Sequence, residues 1–560
     1  MSNRDSILIF VVGLVIFTVS LSPDIVGFDS RFAMFAQEML RNGPSFFPTT
    51  YDQPYPDYPG TSTFMIYLSS VPFGKITMFS AVLPTAVVSA LILVVIYWIG
   101  AIHSRHWGLF AVPIALFTHE FVSRSRSLTP DQYVSLATAL SFYLAYSANV
   151  YGRKKRLWLI PLVLVASFAF RGPIGIVIPA AVVCAYYLFN RDFKLFAIMA
   201  FTSSILFLLC FKGLLVAAAY QGGAVFAEHV WKMQMAGRIN EVARHWIGYY
   251  WTVSFVKYAV AYPIAVIVAI SLYKKILRRE NADYKFLGYL ILWTFVILLG
   301  MSIPSTKKIR YIVSMVPAAA LLASYIFIAP LQKGILSGLK EIFLGFCRWF
   351  PAGTGIFALV VWFFGSQITA FAMWVSGKQL PSLLAGYYLL TLFLMVVLTV
   401  AAWYVNARFK EGPWRNLGLM TIGAVTLFII TVCIKEPIAC DLDGTRPFVE
   451  KAETLQRQNQ GDLVFYKIGD DAEAIKFMAN LDKPIQPKFV NFPEAILNCK
   501  EPAYFISKDK DFGNLPKDVA QHVKLLASGK MDGDNYVVFA RIEMFRNTSE
   551  SAEAVIGESL

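Results

Sequence analysis

Asp29 follows the first apolar run of the chain by a few residues, and Asp131 opens a later one. A carboxylate beside hydrocarbon is expensive, so its position has either a chemical or a helix-capping reason. Chemically, a positioned carboxylate can orient or deprotonate an attacking group. Cations gather in the same neighbourhoods: Arg124 and Arg126, Arg171, Lys232, Arg238 and Arg244, and the run Lys307-Lys308-Ile309-Arg310. Guanidinium and ammonium groups in such numbers suit an anionic ligand, phosphate above all. The capping alternative is concrete at both places. Asp29-Ser30 can cap a following helix, and Thr129-Pro130-Asp131-Gln132 reads as a capping box with Thr129 as N-cap and Pro130 at the first helical position.

The elements that must carry these groups are membrane spans. Of the 560 residues, 57% are hydrophobic and 15% charged, whereas a soluble chain carries about a quarter charged residues. Runs near the roughly 20 residues that cross a bilayer core recur from end to end. About thirteen are legible: 7–22, 80–101, 106–122, 130–148, 157–171, 174–190, 195–217, 251–273, 286–303, 311–329, 353–374, 384–404 and 417–434. The first follows Arg4 and lacks a small-residue cleavage site, so it is read as a span and not as a signal peptide.

Basic clusters at 153–156, 191–194, 274–279, 333–348 and 408–415 fall in alternate loops. The positive-inside rule makes those loops cytoplasmic, together with the N-terminus, and puts the C-terminal tail outside. The net charge of +14 then reflects topology and anionic lipid, with no call for nucleic acid. The cations around the two carboxylates fall in the outward loops, against that bias. Contact with lipid headgroups or with the tail is the alternative use for them.

From 437 to 560 the composition becomes that of a soluble domain. Apparent strands at 462–468, 503–506 and 536–540 alternate with helical segments near 446–458, 470–481 and 515–523, a small α/β pattern. Cys440 and Cys499 both lie there, in a compartment expected to be oxidising, and are a candidate disulfide. Cys184, Cys210, Cys347 and Cys433 sit in or beside spans as packing residues. The chain holds no CxxC pair, Walker loop or GxSxG elbow.

The outer loop 23–79 is the richest stretch. Phe32, Phe35, Ala36, Met39 and Leu40 recur at helical spacing, predicting an amphipathic helix over 30–41 that lies on the membrane surface and ends at Asn42-Gly43. A Pro- and Tyr-rich segment from Phe47 to Gly60 then folds over the outer mouth of the bundle.

Here the residues resemble a known family. Asp29 after the first span, Arg31-Phe32-Ala33 with Glu38-Met39-Leu40, and Tyr55-Pro56-Asp57-Tyr58-Pro59 are similar to the membrane glycosyltransferases of the GT-C class. Within that class the chain resembles the lipid A 4-amino-4-deoxy-L-arabinose transferase and the protein O-mannosyltransferases. Leu128-Thr129-Pro130-Asp131, Arg171-Gly172-Pro173, Glu228-His229 and Lys307-Lys308-Ile309-Arg310-Tyr311 with Pro317 follow in the family's order. Two departures stand out: Ser30 replaces a glutamate, and Asp57-Tyr58-Pro59-Gly60 stands where the family has Glu-Lys-Pro-Pro. The lysine that helps hold the carrier phosphate in the family therefore has no counterpart.

The resemblance implies a polytopic α-helical membrane protein of the GT-C type, with about thirteen transmembrane helices over 1–436 and a small extracytoplasmic α/β domain over 437–560. It implies a bacterial inner-membrane location, a polyprenyl-phosphate sugar donor, and lipid A, another glycan or a protein as acceptor. Asp29 and Asp131 are then catalytic. Arg171, Lys308 and Arg310, with Arg124 and Arg126, hold the donor phosphate; Arg31, Asp57, Tyr58, His229 and Tyr311 serve the acceptor side and the loop. No cofactor is required for the reaction, though Asp57 and His229 hint at a structural zinc. The alternatives are a protein O-glycosyltransferase and a lipid or polysaccharide flippase. Transporters tend to carry internal repeats and mid-membrane ionisable residues, and no repeat is visible in this sequence.

Overall fold

The computed structural model describes residues 2–21, 25, 29–57, 59–236, 245–304, 307–329, 334–376, 385–459, 461–470, 473–482, 485–499 and 502–542. Tyr58, Lys333, Arg238 and Arg244 lie outside the described residues.

Among the described residues, seven helices are long and apolar enough to cross a membrane, or up to eight if the bent pair Tyr249–Lys257 and Ala261–Arg278 forms one span. Of the thirteen expected runs, seven overlap these helices and an eighth, 251–273, overlaps the bent pair. The runs at 106–122 and 157–171 become helices of 12 and 13 residues, Arg105–Leu116 and Leu159–Arg171, and the first run becomes the 16-residue Asn3–Thr18. At 1.5 Å per residue these reach about 18–24 Å, short of the ~30 Å core. Asp131–Val150 is long enough at 20 residues but buries Gln132, Ser135, Thr138 and Ser141.

The bundle packs around Met78–Ala101, which lies against Asn3–Thr18, Arg105–Leu116 and Asp131–Val150. Gly100 and Gly108 permit a close crossing: a Cβ on Gly108 would stand 2.4 Å from Tyr97 O. One end of the bundle gathers the basic loops. There Arg105 donates to both oxygens of Asp5 at 2.7 and 2.9 Å, and Arg279 donates to Phe189 O at 2.8 Å. The other end carries the residues of the candidate site and the C-terminal sheet.

The composition break at 437 falls inside a helix. Pro413–Ile430 runs through a π turn at Thr431–Lys435 into Glu436–Asp443, and Gly444 ends it in the left-handed region. Beyond it, five strands pair in the order Lys488–Val490, Asp462–Tyr466, Ala503–Lys508, Asp534–Arg541 and Val523–Met531. The first three run parallel; the last two join antiparallel. Helix Thr445–Asn459 packs on the sheet. The three expected strands are present. Lys488–Val490 and Val523–Met531 are additional, and the helix expected at 515–523 shrinks to Lys517–Ala520. Asp532 and Gly533, both at positive φ, make the two-residue hairpin turn that creates the last pair.

That hairpin separates the candidate disulfide partners. Gly444, whose N–H bonds to Cys440 O, follows Asp443, whose carbonyl accepts from Gly533 N at the turn. Cys499 O instead accepts from Arg541, the residue paired with Val523 at the opposite end. The intervening strand spans about 25 Å, whereas a disulfide needs Cα atoms within about 7 Å. The expected Cys440–Cys499 pairing is thereby corrected.

The helix expected at 30–41 forms as Asp29–Asn42, but it does not lie on a lipid surface. Ser30 and the whole stretch from Phe32 to Met39 are buried. Phe32, Ala33, Phe35 and Ala36 join the bundle core, whereas Met34 on another face joins the core of the sheet unit. Gln37 Nε2 donates to Ala479 O at 3.4 Å and Tyr51 Oη to Asp470 O at 2.7 Å. Asn480 closes the joint: its Oδ1 accepts from Ile25 N at 3.0 Å and its Nδ2 donates to Ile25 O at 2.8 Å. The helix is an internal wedge between two cores.

Candidate active site

Asp29 begins the wedge helix and turns toward the loop that precedes Asp131–Val150. Ser127 Oγ donates to Asp29 Oδ1 at 2.9 Å, and the Leu128 N–H adds a second bond. Burial pushes the Asp29 carboxyl above the usual carboxylate range, opposed by the charge of Arg124 and by these two donors. A carboxylate so shifted takes up a proton more readily than an exposed one.

Asp131 sits differently. It is buried, with Arg171 Nε donating to its Oδ1 at 3.3 Å and Arg310 Nε in an ion pair with its Oδ2 at 3.3 Å. The capping box expected here does not form. Pro130 is the N-cap and makes no side-chain cap bond, Thr129 Oγ1 meets Ser127 Oγ, and Gln132 Nε2 donates to Phe121 O and Ser125 Oγ. Asp131 is a counter-ion to two arginines brought from distant segments. Tyr311 lies between them, with the Arg171 and Arg310 guanidinium carbons 5.7 and 5.6 Å from its ring centre. Tyr250 Oη donates to Lys308 O at 3.1 Å and Tyr258 Oη to Ile309 O at 2.7 Å, fixing the backbone that carries Arg310; the Lys308 side chain is exposed.

Arg124 and Arg126 part company. Arg124 bonds to Glu120 at 2.8 Å and faces Asp29 electrostatically. Arg126 uses all five N–H groups elsewhere: on Ile16 O, Val19 O and Ser20 O, and on both oxygens of Glu436. It ties the end of the first helix to the helix that leads into the sheet. Its donors are spent, which corrects its expected place among the phosphate ligands.

Asp29, Arg124 and Ser127 open onto a cavity of about 640 Å³. Part of its lining is apolar, from Leu8, Val12, Leu109, Val112, Leu116 and Leu417, and part is polar, with His119, Lys435 and Glu436 alongside Asp29, Arg124 and Ser127. Lys435 Nζ lies 2.6 Å from His119 Nε2. Lys435 was not among the expected site residues, since a lone lysine after an apolar run reads as a boundary anchor. Glu38 was also missed. Its carboxylate accepts from Arg41, Asn42, Thr49 Oγ1 and Asp52 N, holding the start of the Pro- and Tyr-rich loop against the wedge helix. Burial raises its pKa, opposed by Arg41.

The remaining expected residues lie to one side. Arg31 stacks on the Tyr55 ring with its guanidinium carbon at 5.1 Å. Asp57 is buried and accepts from Gln234 Nε2 at 3.4 Å, while His229 is exposed on Phe193–Trp231. Among the described residues no three His, Cys, Asp or Glu side chains converge as metal ligands. An amide donor on one carboxylate and an exposed imidazole do not make the usual four-ligand zinc shell, so the hinted zinc does not fit this pair.

Residues 57–216 match the family described as dolichyl-phosphate-mannose-protein mannosyltransferase. Among solved structures, the chain is similar to ArnT from Cupriavidus metallidurans bound to undecaprenyl phosphate. The TM-score is 0.71 at 14% identity, covering 97% of this chain and 99% of that one. Against the apo state of the same protein the TM-score is 0.67, with the same 14% identity and coverage of 97% and 99%. No curated protein matches the chain in sequence. The chain thus carries the fold of the GT-C membrane glycosyltransferases and resembles the group that holds the lipid A aminoarabinose transferase and the protein O-mannosyltransferases.

Proposed function

We propose that this chain transfers a sugar from a polyprenyl-phosphate donor to lipid A on the outer face of a bacterial inner membrane. The end bearing the basic loops would face the cytoplasm, and the sheet unit the periplasm. What carries the proposal is Asp29: a carboxylate with a raised pKa in the polar part of a cavity whose lining is otherwise largely apolar. Such a cavity suits a lipid with an anionic head. The ArnT structure, which holds undecaprenyl phosphate, supports a carrier of that class.

The reaction is a single displacement. An acceptor oxygen attacks the anomeric carbon, the bond from that carbon to the carrier phosphate breaks, and its electron pair leaves with the phosphate. Arg171 and Arg310, set beside Tyr311 with Asp131 between them, would stabilise the charge on the leaving group, helped by the exposed Lys308. A phosphate acceptor, with a second pKa of about 6, arrives largely ionised; Asp29 then orients it. A hydroxyl acceptor gives its proton to Asp29.

The match of 57–216 to a protein mannosyltransferase family favours a second reading, with a protein hydroxyl as acceptor. Mass spectrometry of lipid A with and without the gene separates the two. Loss of a pentose or hexose increment from lipid A supports the first reading. An unchanged lipid A, with label from polyprenyl-phosphate sugar appearing in protein, supports the second. Movement of the labelled lipid without any new bond would overturn both.

A further inference from the structure

A second cavity, of about 790 Å³, lies at the basic-loop end, far from Asp29, between Arg105–Leu116, Ile335–Ser376 and the start of Pro413–Ile430. Its size is that of a ligand pocket. Lys340, Lys410 and Arg415 bring three positive charges to it, and Glu341 and Glu411 two negative ones. Among the described residues these cations and carboxylates make no ion pairs with one another; Arg415 instead donates to Asn406 Oδ1 at 3.0 Å. Glu341, Lys410 and Glu411 are exposed and Lys340 and Arg415 half-buried, so pairing among them would gain little and each is able to turn to a ligand. His106, on the same wall, has a buried Nε2 with no hydrogen-bond partner. Gly412, the N-cap of an 18-residue helix, provides no side-chain bond to the first N–H groups, which leaves an anion-binding helix end at the rim. Phe110, Phe327 and Ile328 make the apolar side. Trp414, half-exposed with Arg105 stacked 5.5 Å from its ring centre, marks the depth of a bilayer interface.

We infer that this cavity holds a phospholipid headgroup carrying both a phosphate and a primary amine. The phosphate takes Lys340, Lys410, Arg415 and the helix end; the ammonium takes Glu341 and Glu411. A purely anionic head would leave both carboxylates facing a like charge. A quaternary ammonium has no N–H to donate to them. Basic pockets between helices on the cytoplasmic side are known receivers of lipid heads; the pair of unpaired carboxylates is what specifies the amine.

The test is native mass spectrometry of the full chain in nanodiscs of phosphatidylethanolamine, phosphatidylglycerol or phosphatidylcholine with matched acyl chains. Phosphatidylethanolamine should be retained about tenfold or more over phosphatidylcholine, the factor expected of one charge-assisted bond. Lys340→Gln with Lys410→Gln should lose retention of all three, and the same pair changed to Arg should keep it. Glu341→Gln with Glu411→Gln should remove the preference for the amine and raise phosphatidylglycerol to the same level. Equal retention of the amine and choline lipids in the wild type overturns the inference. So does a preference that survives the double Glu→Gln change. Lysine-dependent binding of inorganic phosphate without retained lipid would assign the cavity to the free ion and overturn the lipid assignment.

Discussion

Asp29 and Asp131 belong to one charge cluster but occupy opposite electrostatic positions. Asp131 is buried between Arg171 and Arg310, so its charge is fully answered by the protein. Asp29 is half-buried in a cavity lining, with a hydroxyl and a backbone N–H as its hydrogen-bond donors, and its pKa is raised. A carboxylate answered by two guanidiniums has little left to offer a substrate, but it holds both guanidiniums in place. One that burial destabilises can still accept a proton. The contrast separates a positioning group from a reacting one, although sequence alone offers the two as similar candidates.

The contrast is broken or sharpened most strongly by Asp131→Asn. Two buried arginines then lose one carboxylate they share, and the fold should lose up to about 3–5 kcal/mol, the range for buried pairs with one partner removed. Thermal unfolding in detergent reads this directly, and a Tm equal to wild type would remove Asp131 from the positioning role. Asp29→Asn should do the reverse. Transfer to a hydroxyl acceptor should fall by about 10²–10⁴, the usual weight of a general base, while transfer to a phosphate acceptor keeps part of its rate. The Tm at neutral pH should hold or rise. A carboxyl with a raised folded pKa loses stability for the fold as pH climbs from its unfolded to its folded value, so above that window the charged form is a burden that Asn relieves. Full hydroxyl transfer by this variant would end the assignment.

Arg126→Gln should cost about 2–3 kcal/mol through its lost charge-assisted bonds and leave the KM for the donor unchanged, in keeping with a tie and not a ligand. A raised donor KM without loss of Tm would return Arg126 to the phosphate site. The smallest effect is expected of Arg124→Gln. Hydroxyl transfer by the wild type should decline in acid, with a midpoint above the ordinary carboxylate range as Asp29 takes up its proton. Removing the guanidinium that opposes burial should move this midpoint to higher pH. A pH–rate profile measures the shift, and an unmoved midpoint would detach Arg124 from Asp29.

Local patterns were legible where local physics decides. The wedge helix runs from Asp29 to Asn42 against an expected 30–41, because apolar spacing and Asn42-Gly43 fix it within the segment. Its surroundings were not legible, since Met34 and Gln37 meet residues more than four hundred positions away. The same holds for Asp131. Thr129-Pro130-Asp131-Gln132 has every residue of a capping box, but two arginines from distant segments outweigh a bond worth about 1 kcal/mol. Val523–Met531 was missed because it lacks a β-branched run, yet Asp532-Gly533 is a strong hairpin signal that could have revealed it. The runs at 106–122 and 157–171 show the limit of hydropathy as a ruler: it marks an apolar stretch but not how much of it folds as one continuous helix, here 12 and 13 residues.

The Asn480 joint has a consequence for how this chain tolerates change. Asn480 reads the N–H and the carbonyl of Ile25 and nothing of its side chain. That contact resembles two rungs of a ladder lent by an amide, so it sets the backbone at position 25 while burial in the bundle core sets the side chain there. Substitution at position 480 has less latitude: Asp loses the donor, Leu loses both groups, and a longer Gln displaces them. Variation should therefore be tolerated unevenly across the joint: another apolar residue can stand at position 25, whereas position 480 needs its asparagine.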